Sequence, residues 1–180
     1  DLARSRGLGD VYKRQEPVSS PPESGKTVAW IACEITCATF NPAFQEATDA
    51  LDWKLEIISV ATVGNSTAIL QALDIGADFI AITGTPPATI AEEITIAKER
   101  GVGIFMCFDT TIPDPANNNI FTNCAGEASA YASGQIIANK VIVESGGNAN
   151  VLMINIPDFE ILVSQREGAK SAYALSLIHI

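Results

Sequence analysis

Histidine is all but missing from this chain of 180 residues; the one it has, His179, stands next to last. A chain body without histidine cannot run Ser/His or Cys/His nucleophilic catalysis, and it cannot hold a metal through imidazole. Basic residues are scarce as well, 11 Lys and Arg against 21 Asp and Glu, and they form no stripe. Polyanion binding needs clustered cations, so nucleic acid is not an expected partner, and the acidic balance reads as solubility. No apolar run approaches the roughly 20 residues of a membrane-spanning helix. None of the four cysteines forms a Cys-x-x-Cys pair, which leaves zinc and thioredoxin-like readings without support. Glycine is absent from Glu34-Ile-Thr-Cys-Ala-Thr39, the loop after the first apolar run, so the chain lacks a phosphate-cradling turn there and no cofactor is expected.

The two ends have little of a folded domain in them. Asp10-Val-Tyr-Lys-Arg-Gln15 can be encoded by GATGTGTATAAGAGACAG and Leu175-Ser-Leu-Ile-His-Ile180 by CTGTCTCTTATACACATC. These strings are reverse complements, and they resemble the mosaic end that transposases insert during sequencing-library preparation. Residues 1–15 and 175–180 are therefore read as adaptor-derived scars, set aside from fold reasoning and expected to make few contacts with the domain. Without Arg4, Arg6, Lys13, Arg14, Asp1 and Asp10, 7 basic and 19 acidic residues remain. A gene cut at both ends can also have lost a secretion signal, a lipid-attachment cysteine or a further domain.

What is present is a strong α/β rhythm. Thr27-Val-Ala-Trp-Ile-Ala-Cys33 is a continuous apolar run that stops at a polar loop, as the buried first strand of a parallel sheet does. Residues 16–25, rich in Pro and Ser, read as a flexible tether before it. After it, Phe44, Ala47, Ala50 and Leu51 form the inward face of an amphipathic crossover helix. Strands follow at 54–60, 77–82 and 103–108, separated by helices on Ile69, Leu70, Ala72 and Leu73, capped by Asn65 or Ser66, and on Ile90, Ile94 and Ala97, started by the Pro86-Pro87 pair. Short strand–helix–strand steps specify right-handed crossovers and a parallel, doubly wound sheet, of order 2-1-3-4.

Residues 111–120 read as a surface connection. A long helix then presents Ala130, Gly134, Ile137 and Val141, a further strand is expected at 150–155, and the first part of another helix at 160–174. Cys33 and Cys107 read as buried thiols acting as small hydrophobes, and Cys37 and Cys124 as loop residues that an exported protein could join.

In an open parallel sheet the ligand crevice lies beyond the carboxyl ends of the strands, at the switch point between the first and third. That placement makes the loop 34–41 the candidate ligand loop, with Glu34, Thr36, Thr39 and Phe40 as contacts. Asp109, ending the fourth strand, faces the same crevice or holds a turn.

From residue 26 to 174 the chain resembles the type I periplasmic binding proteins, chiefly the sugar-type substrate-binding proteins of ABC importers. The residues that carry the likeness are Asn41-Pro42 with Phe44, Ala50-Leu-Asp-Trp53, Ile75-Gly-Ala-Asp-Phe-Ile80, Glu99-Arg-Gly-Val-Gly-Ile104 leading to Asp109, and Gly134. The resemblance implies two lobes that clamp a small polar solute, a sugar or similar, and present it to an ABC permease. It implies a first lobe at 26–122, then a crossing segment, a helix and a partial second lobe at 123–174. It implies an extracytoplasmic protein, periplasmic or held at the cell surface only through a lipid anchor. By position it adds Asn41, Phe44, Asp109 and Thr110, and Asp158 and Phe159 from the second lobe, to the ligand contacts. Asn41 also reads as a helix cap and Phe44 as core.

Two other classes stay open at this stage. A LacI-type transcription repressor shares the two-lobe ligand-binding domain, though residues 16–25 are neither basic nor helical. A flavodoxin-like enzyme would need a glycine loop or a cluster of titratable groups; Glu34 and Asp109 have no basic partner, and Cys37 has no histidine to activate it.

Overall fold

The computed structural model of the chain describes residues 20–33, 35–157 and 159–176. Glu34, Asp158 and residues 1–15 lie outside them, so the expectation for the leading scar does too; of the trailing one, Leu175 is described and points into solvent.

The elements in order are β1 (Thr27–Ala32), a short α1 (Ile35–Ala38), α2 (Asn41–Ala50), β2 (Lys54–Ser59), a short α3 (Val60–Val63), α4 (Asn65–Asp74), β3 (Phe79–Thr83), a 3₁₀ turn (Pro87–Ile90), α5 (Ala91–Glu99), β4 (Gly103–Cys107), a short α6 (Pro115–Asn118), β5 (Ile120–Asn123), α7 (Glu127–Ser145) and α8 (Glu160–Ser176). The five strands form one parallel sheet of order β2-β1-β3-β4-β5. The expected order of the first four holds, and β1, buried along its length, sits beside β3 at the switch point.

Each face of the sheet has its own core. Ala29, Ile31, Ile80, Ile82, Ile104 and Met106 face α4 and α5, which return Ile69, Leu73, Ile94 and Ala97. Removing each large aliphatic side chain from water stabilises the lobe by about 1.5–3 kcal/mol. On the other face Val28, Trp30 and Ala81 lie under α2 with Phe44, and beyond them an aromatic row, Trp53, Phe79, Phe105 and Phe121, crosses the sheet with neighbouring rings 5.4–6.1 Å apart. Phe121 closes that row half exposed. The segment before β1 is tied to this region: the Trp53 indole donates to the Glu23 carbonyl at 2.6 Å, and the Gly25 amide to Asp52 O at 2.8 Å. Asp52 occupies the left-handed position, φ +55°, that ends α2.

Several local expectations are corrected. The connection expected over 111–120 ends in a fifth strand, where Ile120 pairs with Ile104. α2 buries Thr48, whose hydroxyl donates to the carbonyls of Phe44 and Gln45, whereas Ala47 and Ala50 are exposed; the inward stripe is Phe44, Thr48, Leu51. The cap of α4 is neither Asn65 nor Ser66 but Gly64, at φ +80°, with no side-chain bond. In α7 the buried positions are Gly134 and Ala138, and Ile137 is half exposed. The reason is close approach: a Cβ on Gly134 would collide with the Gln165 carbonyl, and one on Gly168 with that of Tyr131, so the two glycines set where α7 and α8 cross. Residues 150–155 join no ladder among the described residues. They keep a strand's alternation, Val151 and Met153 against the α7–α8 cluster and Leu152 and Ile154 about nine-tenths exposed, but a strand needs a paired neighbour.

Candidate functional site

The carboxyl ends of β1, β3 and β4 open on one side of the sheet, and the chain after α7 comes back over them. Between the two lies a crevice of about 300 Å³. Its floor is the end of β1 with Cys33, Thr36 and Cys37, and the end of β3 with Thr83 and Gly84; Phe40 and Phe108 form one wall, and Phe159 with the first turn of α8 the other. Gly84, at φ +61°, lets the Phe159 ring lie directly on the backbone, where an added Cβ would stand 3.3 Å from Cε1. The two sides also meet through a hydrogen bond: the Thr110 hydroxyl donates to Glu160 Oε2 at 2.7 Å. A larger concavity, about 460 Å³, lies beside Trp53 at the amino ends of β1 and β2, away from the switch point.

Phe40 and Thr36 line this crevice, as does Phe159, and Thr110 sits at its rim. Thr39 is exposed nearby, its hydroxyl donating to Thr36 O at 2.6 Å. Asn41 and Phe44 lie elsewhere, in the packing of α2: Asn41 Oδ1 accepts the Trp30 indole N–H at 2.8 Å, and the Phe44 ring stacks on Trp30 with centroids 4.2 Å apart. Asp109 is buried and occupied with its own turn. Its Oδ1 accepts the Thr111 amide at 2.7 Å, and its carbonyl accepts Asn123 Nδ2 at 2.7 Å.

Solved structures share this architecture. A periplasmic solute-binding protein of an ABC transporter from Actinobacillus succinogenes 130z, determined with bound D-allose, superposes with a TM-score of 0.70 at 13% identity, over 86% of this chain and 57% of its own. The periplasmic binding protein component of the arabinose ABC transporter from Shewanella sp. ANA-3, bound to α- and β-L-arabinofuranose, gives 0.68 at 14% identity over 84% and 51%. The transcription regulator CcpA of Lactococcus lactis gives 0.64 at 12% identity over 87% and 56%. The fold is that of a type I periplasmic-binding-protein lobe. No protein-family model and no curated protein matches the chain. The chain spans about half the length of the solved proteins it matches.

Within this periplasmic-binding-protein fold, the cysteines are placed differently from expectation. Cys33 pairs with Cys37 and Cys107 with Cys124, so neither strand cysteine is a free thiol and the Cys37–Cys124 pairing is overturned. The physical reason is reach: each strand-ending cysteine has a loop cysteine at a Cα distance of 5.7 or 4.8 Å, within disulfide range. The first bridge lines the crevice, and the second ties the end of β4 to the residue that follows β5. Thr83 Oγ1 donates to the Cys37 sulfur at 3.2 Å, fixing the β1 loop to the end of β3.

The wall residue Phe108 was not expected, because a phenylalanine ending an apolar strand reads as core. Its backbone sits at φ +56°, which turns the ring outward, 6.3 Å from Phe40. Glu160 was likewise read only as a helix start. Among the described residues no helix is long and apolar enough to cross a membrane.

Proposed function

We propose that this chain is part of an extracytoplasmic substrate-binding protein that captures a small solute, a sugar or a sugar derivative, for an ABC importer, and that it is not an enzyme. Residues 26–122 form the first lobe and residues 123–174 a crossing segment, a helix and the beginning of the second. The observation that carries the reading is the crevice between the strand ends and the Phe159–Glu160 segment, at the switch point where an open parallel sheet takes its ligand. Thr36, Thr39, Phe40, Thr110 and Phe159 are its contacts in this reading, with Asp109 holding the loop that carries Thr110; Glu34 and Asp158, outside the described residues, are proposed as contacts by their place in the chain. The exposed Leu152 and Ile154 and the half-exposed Phe121 are surfaces that the remainder of a two-lobed protein would cover. A permease is the partner, and any membrane attachment runs through a lipid anchor.

The superposition on CcpA favours a second reading, the ligand-binding domain of a repressor. Two disulfides weigh against it, since they form and persist in exported proteins and are rare where glutathione keeps thiols reduced.

Calorimetry of this chain and of the product of the uninterrupted gene, against sugars, polyols and amino acids, tests the proposal. The full product should bind a member of the panel and this chain should bind it far more weakly, because tight pockets cover most of the ligand's surface. Equal affinities would replace the clamp with a one-lobe pocket; a full product that binds nothing would remove the receptor reading.

A further inference from the structure

Resting on the receptor reading, the composition of the crevice goes further than that reading does. Three aromatic rings, Phe40, Phe108 and Phe159, border a space whose remaining surface comes largely from Ile156, Leu162 and the Cys33–Cys37 disulfide. Phe40 and Phe108, neighbours in one wall of the crevice, are each 42% exposed, apolar surface waiting for a cover.

Several of the polar groups nearby are already engaged. The Thr83 hydroxyl proton is given to Cys37 Sγ, the Asp109 carboxylate accepts the Thr111 amide, and Thr110 and Glu160 hold each other. Among the described lining residues no side chain carries a charge. A free hexose presents several hydroxyls, and each one taken from water without a new partner costs free energy. The three rings give a hydroxyl no such partner, whereas an apolar group gains by displacing water from them.

We propose that the solute carries an apolar moiety, an aryl or alkyl substituent that lodges against Phe40, Phe108 and Phe159. Any hydroxylated part then faces Thr36 and the rim at Thr110 and Glu160. The disulfide is part of the surface: its sulfurs are polarisable, and they form a floor suited to a ring or a thioether.

The test uses the product of the uninterrupted gene and matched pairs of probes, free aldoses and their phenyl glycosides, titrated by calorimetry. At least one phenyl glycoside should bind about tenfold or more tightly than its parent, the gain for taking a phenyl-sized surface out of water. Phe40→Ala, which trims a half-exposed ring, should erase that advantage, bringing the phenyl glycoside's affinity down to that of its parent. Saturation-transfer NMR on the unsubstituted protein gives a second readout, with the aryl protons saturated more strongly than the sugar-ring protons. Parent sugars that bind as well as their phenyl glycosides, or stronger saturation of the ring protons, overturn the inference and leave the receptor reading standing. If neither series binds but an amino acid or free polyol does, the inference falls alone; if nothing binds, both fall.

Discussion

The indole N–H of Trp30 donates to Oδ1 of Asn41 at 2.8 Å, so the central strand and the first turn of α2 are joined through the core and not through the crevice. Trp30 is 2% exposed, and its ring also stacks on Phe44. Asn41→Ala removes the acceptor of a buried donor, which costs about 1–3 kcal/mol. Urea unfolding should show a lower midpoint at unchanged slope. Asn41→Asp, which keeps an acceptor, should retain most of the stability. Ligand affinity at saturating folded protein should change little in either variant, and a large selective loss of affinity would instead put Asn41 in the ligand's shell.

The α7–α8 pair makes a second prediction. Gly134 and Gly168 each face a backbone carbonyl of the opposite helix, and a methyl group there has no flexible side chain to push aside. Gly134→Ala should therefore separate the helices, at a cost of roughly 1–3 kcal/mol or more. Because the sheet makes its own cores, the loss should be local. Hydrogen exchange should speed up in α7 and α8 while β1, β3 and β4 stay protected; a uniform loss of protection would show that the two parts unfold as one.

How much of this was legible in the sequence depends on which forces decide each element. β1 and β3 were readable because a strand buried on both faces is an unbroken apolar run, and the helices between them because Ile69, Leu73, Ile94 and Ala97 keep the 3.6 period. β5 was not, being four residues placed by bonds its neighbours make: Asn119, at φ +57°, gives its side-chain amide to the Val102 carbonyl at 2.9 Å, and Asn118 Oδ1 accepts the Ile120 amide at 3.0 Å. In the crevice, Phe40 and Phe159 could be placed by position along the chain. Phe108 could not, because one backbone angle turns it from core to wall, and the cysteine partners could not, because pairing follows three-dimensional proximity.

The turn before β5 also carries a pH dependence. The Asn117 side-chain amide donates to Asp114 Oδ2 at 2.7 Å and the Asn117 backbone amide to Oδ1 at 3.3 Å, and these bonds, the side-chain one foremost, hold the Asp114 carboxyl below its usual range. A carboxyl with a lowered folded pKa stabilises the turn above its unfolded pKa, and the contribution is lost as pH falls through the folded value. The difference in unfolding midpoint between the parent chain and Asp114→Ala should thus be constant near neutrality. It should shrink from about pH 4 downward. NMR titration of the carboxyl should place its midpoint below that of an exposed aspartate in a peptide. A midpoint at or above that value, or a difference that grows in acid, would contradict the capping role.

The two disulfides should differ in what they contribute. Cys107–Cys124 closes 17 residues of sequence separation around α6 and β5, and Cys33–Cys37 only 4 around α1. In the loop-entropy account, removing them destabilises by about 3 and about 2 kcal/mol, respectively. The larger loss falls on the edge strand, since Cys124 follows β5 directly and its amide donates to the Met106 carbonyl at 3.0 Å. The smaller falls on the crevice, because the bridge and the Thr83 contact fix Cys37, and the Phe40 amide donates to the Cys37 carbonyl at 3.0 Å. Cys33→Ser paired with Cys37→Ser should therefore lower the melting temperature less than Cys107→Ser paired with Cys124→Ser, yet weaken binding to the restored full-length protein more. Thermal melts and calorimetry of the two double variants, each with and without reductant, separate the effects. If reductant left both the melt and the affinity of the unsubstituted protein unchanged, the bridges would not form in solution, and with them would go the argument for an oxidising compartment.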